Sequence, residues 1–339
     1  MNTCLAADSE LQITSGHRQS WELIPVNTNP PMNCPLNASD QCSPLKLLTW
    51  NVNLMTSYDL FELLIWWFSH QDMNDPELRA EEIVQFLIKG DYHIIALQEI
   101  ADRYLRMIVN QKMTKAGYYI TPVIGEEWSW ELLLAGRLFN GGVVLYSKAP
   151  ILEAREFVFP TPAGAQGWCA IGTWYIKVPS ESGHLHVFGL HLQTVENDSE
   201  KEYQGLIKHY DYLKRIKSTL NIPEDEAVIY MGDFNTDAGR QDGLAEGDSY
   251  FQIMLETLVS RQAANFTNST LPYSFDIHEN EMAKGKAPLG TLDNILCDIR
   301  NICPITGYLK ILNANQTRSR LGVLSDHYPI EGILYYTSD

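Results

Sequence analysis

Ala227-Val-Ile-Tyr-Met-Gly-Asp-Phe-Asn-Thr-Asp237 is the stretch on which the fold turns. Its first five residues are apolar, β-branched or aromatic, as a buried strand requires, and the run stops abruptly in Gly232, Asp233 and Asn235. The same form, an apolar strand ending in an acid, amide or imidazole, recurs in Leu48-Thr-Trp-Asn51, Ala96-Leu-Gln-Glu99, Gly189-Leu-His-Leu-Gln193 and Leu324-Ser-Asp-His327. Working outward, periodicity predicts strands over 46–52, 93–98, 142–147, 172–178, 185–190, 227–231, 291–297 and 329–336. Helices are predicted over 76–89, 102–115, 201–220 and 250–259. The clearest starts at Pro76, with Asp75 as its expected cap and Ala80, Ile83, Val84, Leu87 and Ile88 on one face. Many strands with interspersed helices give an α/β (α+β) class in which sheets form the centre and helices cover the outside.

The whole chain has 339 residues, 45% hydrophobic and 20% charged, enough apolar side chain for a sizeable core. Residues 1–44, rich in Asn, Pro, Ser and Cys, read as a loosely structured extension, and 45–339 as one catalytic domain. The longest nearly apolar run, 60–68, is broken by Glu62 and is too short to span a bilayer. It contains Phe61, Trp66, Trp67 and Phe68, so it reads either as a core helix or as a membrane contact. With 25 Lys and Arg against 42 Asp and Glu, the net charge of −17 disfavours extended nucleic-acid binding, although a divalent cation can invert the charge of a site.

The six cysteines form neither a disulfide framework nor a zinc pattern, and free thiols are the expectation, with Cys34–Cys42 and Cys297–Cys303 as the pairs that would close small loops. The start of the chain lacks a classical secretory pattern, which points to a cytoplasmic protein or non-classical export, with peripheral membrane contact and a monomeric state expected.

Singly, each polar strand end has an ordinary structural reading. Asn51 and the Gly232–Asn235 stretch suit turns, Glu99 suits a helix N-terminus, His191 suits a bonded core histidine, and Asp326-His327 suits a loop. Together they point to convergent groups in one crevice, which is how a metal hydrolase site is built.

In order, TWNVN, LQEI, GGVVLYSKAPI, GLHLQT, MGDFNTD, TLDNIL and SDHYPI resemble the motif series of the endonuclease/exonuclease/phosphatase superfamily. The resemblance implies a DNase I-like, two-sheet β-sandwich flanked by helices, with a divalent-metal phosphoesterase site at one edge. Within it, His191-Leu192-Gln193, Gly141-Gly142-Val143, Ser147-Lys148-Ala149-Pro150-Ile151, Leu292-Asp293-Asn294-Ile295 and the 274–283 segment are most similar to bacterial-type neutral sphingomyelinases. Inositol polyphosphate 5-phosphatases carry an Arg in the 291–295 segment that is absent here. Secreted sphingomyelinases carry a long aromatic hairpin where 300–324 is shorter and has only Tyr308.

The resemblance implies Glu99 as ligand of the catalytic ion, with Asn51 and Asp326 supporting it, and Mg²⁺ as the ion, with Mn²⁺ or Co²⁺ as substitutes. It further implies His327 as general base oriented by Asp293, Asp233 and Asn235 as water-positioning and phosphorane-stabilising groups, and His191 on the leaving side. The implied reaction is hydrolysis of sphingomyelin, or a related choline phospholipid at a membrane surface, to ceramide and phosphocholine. The alternatives are a phosphatase or nuclease of the superfamily and an inactive binding module on the same fold.

Overall fold

The computed structural model describes residues 44–55, 75–126, 137, 139–160, 167–180, 183–195, 200–239, 249–267, 269, 271–286, 289–315 and 317–336. Two six-stranded sheets face each other, ordered β11-β12-β1-β2-β4-β3 and β5-β6-β7-β8-β10-β9. The first contains β1 (Leu45–Asn51), β2 (Ile94–Gln98), β3 (Tyr119–Ile120), β4 (Val144–Ser147), β11 (Thr306–Ile311) and β12 (Ile330–Tyr335). The second contains β5 (Glu153–Val158), β6 (Gly172–Ser180), β7 (Gly183–His191), β8 (Ala227–Asp233), β9 (Ser260–Gln262) and β10 (Asp293–Asp298). Four helices flank them among the described residues: α1 (Pro76–Gly90), α2 (Arg103–Lys115), α3 (Glu200–Thr219) and α4 (Ser249–Leu258).

Strands with both faces buried cannot show simple alternation of apolar and polar residues, and here both faces are covered. Leu47, Ile94 and Leu145 meet Ile176, Val187, Ile229 and Ile295 between the sheets. On the outer face of the first sheet, Leu48, Trp50, Ile95 and Leu97 pack with Ile83, Val84 and Leu87 of α1 and Leu105 and Val109 of α2. On the second, Phe188, Leu190, Val228 and Tyr230 pack with Leu206, Tyr210 and Leu213 of α3 and Phe251 and Met254 of α4. The DNase I-like sandwich implied by the motifs is therefore the observed architecture.

Several local expectations are corrected. Asp75 adopts a left-handed conformation (φ 44°) and makes no side-chain cap on α1; its Oδ2 accepts instead from the Arg320 N–H at 2.9 Å. Ile88, one step beyond the covered stripe, is exposed. Leu324-Ser-Asp-His327 does not end a strand; it is the turn that leads into β12. Cys297 and Cys303 are joined as a disulfide rather than free thiols, while Cys169 is free. The shortened 300–324 segment contributes β11, with Tyr308 half-buried on the edge of the first sheet. The 60–68 run, Cys4, Cys34, Cys42 and residues 1–43 of the expected extension lie outside the described residues.

Between the sheets, a Cβ added at Gly189 would stand 2.3 Å from Leu145 Cδ2. Gly189→Ala should cost about 1–3 kcal/mol through overpacking, read as a lower urea midpoint. Combining it with Leu145→Ala should cost less than the sum of the single changes, because each relieves the other. Strict additivity would show that the two residues do not compete for the same space.

Candidate active site

The register explains how the polar groups meet. Leu185 and Val187 of β7, Ile229 and Met231 of β8, and Ile295 and Cys297 of β10 all face the space between the sheets. A period of two continues these rows to His191, Asp233 and Asp293. His191 is the parallel partner of Asp233, and Asp293 is its antiparallel partner. From the first sheet, Leu47 lies on the row that ends in Asn51, whose partner is Gln98, the residue before Glu99.

These side chains are in reach of one another. Asn51 Nδ2 donates to Asp233 Oδ2 at 3.0 Å. His327 Nδ1 donates to Asp293 Oδ2 at 2.7 Å, leaving His327 Nε2 3.8 Å from Asp233 Oδ2. His191 Nε2 stands 3.6 Å from Asp233 Oδ2 and 4.0 Å from Glu99 Oε1. Asn235 closes a turn, its backbone N–H donating to Asp233 Oδ1 and its side chain to the Leu192 carbonyl. Phe275 packs on the His327 ring with centroids 4.8 Å apart.

Three residues of the site carry backbone strain. Asn53, Glu99 and Asn235 all have positive φ, a conformation that costs energy outside glycine. Gly142, itself at φ 65°, lies against the Glu99 backbone; an added Cβ would be 3.0 Å from Glu99 Cα. The side chain of Glu99 is partly exposed, whereas Asn51, Asp233 and Asp293 are essentially closed off.

Asp326, expected to support the ion's network, is held by two side chains. Its Oδ2 accepts from Lys286 Nζ at 2.6 Å, and Asn53 also bonds it. Burial would raise its pKa, but the charges of His327 and Lys286 outweigh this and hold it low. Lys286 gave no signal in the sequence. Ser325 stood unremarked inside its motif, yet its Oγ donates to the Asn51 carbonyl at 2.7 Å and accepts from the His327 N–H at 3.2 Å. Asn280 Nδ2 donates to the Ser325 carbonyl, and Ser274 Oγ receives the N–H groups of Leu292 and Asp293.

Asp233 is pushed above the usual carboxylate range by burial and by Asp293 beside it. His327 is penalised by burial, but the Asp293 charge and hydrogen bond, with Asp233 and Asp326, lift it to about 10. Two polar atoms facing this cluster, His191 Nε2 and Asp293 Oδ1, are buried without a hydrogen-bond partner among the described residues. Buried polar groups are ordinarily satisfied, so orphaned ones beside clustered carboxylates point to a ligand. Oxygen-rich donors of this kind suit a hard divalent cation. Donor atoms of Asp233, Asp293 and His327 lie within 4.8 Å of one another, a grouping different from the expected set of Glu99, Asn51 and Asp326.

A two-sheet sandwich with an acidic, histidine-containing site where its inner rows end defines the class, and the endonuclease/exonuclease/phosphatase family profile matches residues 48–275. The chain belongs to that family. It is 28% identical over 280 residues to sphingomyelinase C 2 of Leptospira interrogans, covering 76% of this chain and 43% of the relative. A sphingomyelinase C of Bacillus cereus is 26% identical over 320 residues, 86% of this chain and 89% of its own. The chain spans about half the length of the Leptospira relatives it matches, at 43%, 56% and 53%. The crystal structure of sphingomyelinase C from Streptomyces griseocarneus shares the fold with a TM-score of 0.70 at 23% identity, over 86% of this chain and 100% of that one. Beta toxin from Staphylococcus aureus, solved with bound magnesium ions, gives 0.69 at 23% identity, over 87% and 100%.

The raised Asp233 has a stability consequence. Its folded pKa exceeds its unfolded one, so its contribution is most favourable below the ordinary carboxylate range and is lost as pH rises through the folded value. In chelator at neutral pH, Asp233→Asn should therefore melt higher than the wild type, with the gain vanishing toward pH 3. A lower melting temperature at pH 7 and no pH trend would contradict the repulsion.

Proposed function

We propose that the chain is a Mg²⁺-dependent phosphodiesterase of the phospholipase C type that hydrolyses sphingomyelin to ceramide and phosphocholine. The observation that carries the reaction class is the Asp293–His327 pair aimed at Asp233 in a closed acidic crevice. The choice of sphingomyelin is supported by relatives named sphingomyelinase C in several bacteria. The chain's acidity argues against a nucleic-acid substrate.

Glu99, with Asn51 beside it, would hold the cation, and Asp326 would support this network through Asn53. When bound, the cation supplies charge neutralisation and polarisation of a phosphoryl oxygen. His327, in its neutral form, would accept a proton from the attacking water at Nε2. Asp293 fixes the His327 ring through Nδ1 and stabilises the imidazolium as it forms. Asp233, steadied by the Asn51 amide and the Asn235 N–H, orients that water, and the Asn235 side chain stands at the same turn. His191 Nε2, without a hydrogen-bond partner among the described residues, is available to give a proton to the departing ceramide oxygen. The lipid would be met at a membrane surface; no helix among the described residues is long and apolar enough to cross one.

Phosphocholine release from sphingomyelin vesicles, measured beside inositol phosphates and single-stranded DNA, tests the substrate. Activity should require Mg²⁺, disappear in chelator and return on readdition, and Glu99→Gln should raise the Mg²⁺ needed for half-maximal rate. Hydrolysis of the inositol phosphates or DNA with sphingomyelin untouched would replace this substrate by another of the family. His327→Ala should lower turnover by about 10²–10⁴-fold with folding retained, and Asp293→Asn by less. Wild-type turnover in a folded His327→Ala protein would remove that residue from the mechanism.

A further inference from the structure

Arg79 is a guanidinium in the wrong place for a surface helix residue. It projects from α1, is 3% exposed, and makes no ion pair within 4 Å among the described residues. Its Nη2 donates to the carbonyls of both Val52 (3.2 Å) and Asn53, and its Nη1 lies 3.3 Å from Met282 Sδ. Its Nε is buried with no hydrogen-bond partner among the described residues. A buried charge without a carboxylate in contact is destabilising unless the field around it compensates. Here the compensating charges are Asp326 and Glu99: burial pulls the guanidinium down to about 10 while those two carboxylates act in the opposite sense, so it stays charged at neutrality.

The two carbonyls it holds belong to the turn that presents the site's amides. Asn53 sits at φ 43°, and its N–H donates to Asn51 Oδ1 at 3.2 Å, which leaves the Asn51 amide directed at Asp233. The other edge of the turn is tied to the end of β2 through Val52 N–H to Gln98 O and Leu54 N–H to Glu99 O. Arg79 thus grips, from the helix side, the same few residues that β2 grips from the sheet side. A fork with several donors on one planar group suits adjacent carbonyls in a way that a lysine ammonium does not.

We propose that Arg79 is a positioning residue and the permanent counter-charge of the acidic site, holding the Val52–Asn53 turn so that Asn51 meets Asp233 and sharing the field of Glu99 and Asp326 with the divalent cation. This rests on the cation-dependent reading above for both its rate and its binding effects, and on the proposed substrate for its rate effects alone. Two like charges balancing one cluster oppose each other, so loss of Arg79 frees negative field for the cation.

Mg²⁺ titration of the full chain by calorimetry, beside turnover on sphingomyelin vesicles, separates the two tasks. Arg79→Gln removes the charge and should bind Mg²⁺ about tenfold more tightly than the wild type. Unchanged or weaker binding would overturn the counter-charge. Arg79→Lys keeps the charge but not the fork, and should bind Mg²⁺ as the wild type does while kcat falls about tenfold at nearly constant KM. Wild-type kcat in Arg79→Lys would overturn the positioning role, and this variant decides it even if Arg79→Gln does not fold. A wild type that binds Mg²⁺ but is inactive on sphingomyelin would end the proposed substrate and leave the counter-charge to the calorimetry. A wild type that binds no Mg²⁺ would overturn the counter-charge itself.

Discussion

The parity of the strands is the constraint from which the site follows. His191, Asp233 and Asp293 are neighbours only because β7, β8 and β10 pair in a register that sets them opposite one another. All three occupy rows whose other members fill the space between the sheets. A slip of one residue in any of these pairings would turn a carboxylate or imidazole into the helix-covered face, where Tyr230, Leu190 and Leu296 now pack. The apolar core therefore does more than stabilise the domain. It fixes the register, and the register delivers the polar groups.

Delivering them has an electrostatic cost. Asp233 and Asp293 are adjacent and closed off from solvent, with Asp326 acting on His327 and Glu99 4.0 Å from His191. Coulombic repulsion in a poorly solvated region must be offset by cations of some kind. The chain supplies some of that positive charge itself, through Lys286 on Asp326 and through His327 on Asp293. What remains is an acidic crevice with orphaned polar atoms, which accounts for how a protein of net charge −17 can attract a divalent cation.

The sequence was legible where burial is uniform and opaque where it is mixed. Strands β1, β2, β7 and β8 carry near-continuous apolar runs, and their polar ends could be read directly. β5, with Glu153, Arg155 and Glu156, is an edge strand whose charged residues face solvent, and it has no such run. β3 and β9 are too short to show a period, and β11 contains Gly307 and Lys310 on an edge. Asn51, His191, Asp233, Asp293 and His327 were readable as strand-end or turn groups, and the structure brings them together beside Glu99. Arg79 was not readable, because it lies just off the apolar stripe of α1, where a charged residue ordinarily meets water.

Chain direction explains which side of each strand carries its functional group. β1 with β2, and β7 with β8, are the parallel pairs, each joined through a crossover that includes a helix, α1 in one sheet and α3 in the other. Parallel strands linked in this way bring their carboxyl ends to the same edge, so Asn51, Glu99, His191 and Asp233 all stand at strand exits. β10 runs antiparallel to β8, and β12 antiparallel to β1, so their entrances lie at that edge. Asp293 accordingly opens β10, and Asp326 and His327 precede β12. The same arrangement makes the motif Leu324-Ser-Asp-His327 look like a strand end in sequence when it is a strand beginning in space. A polar cluster adjoining an apolar run locates the edge of a sheet, while only the direction of pairing says whether the chain is arriving there or leaving.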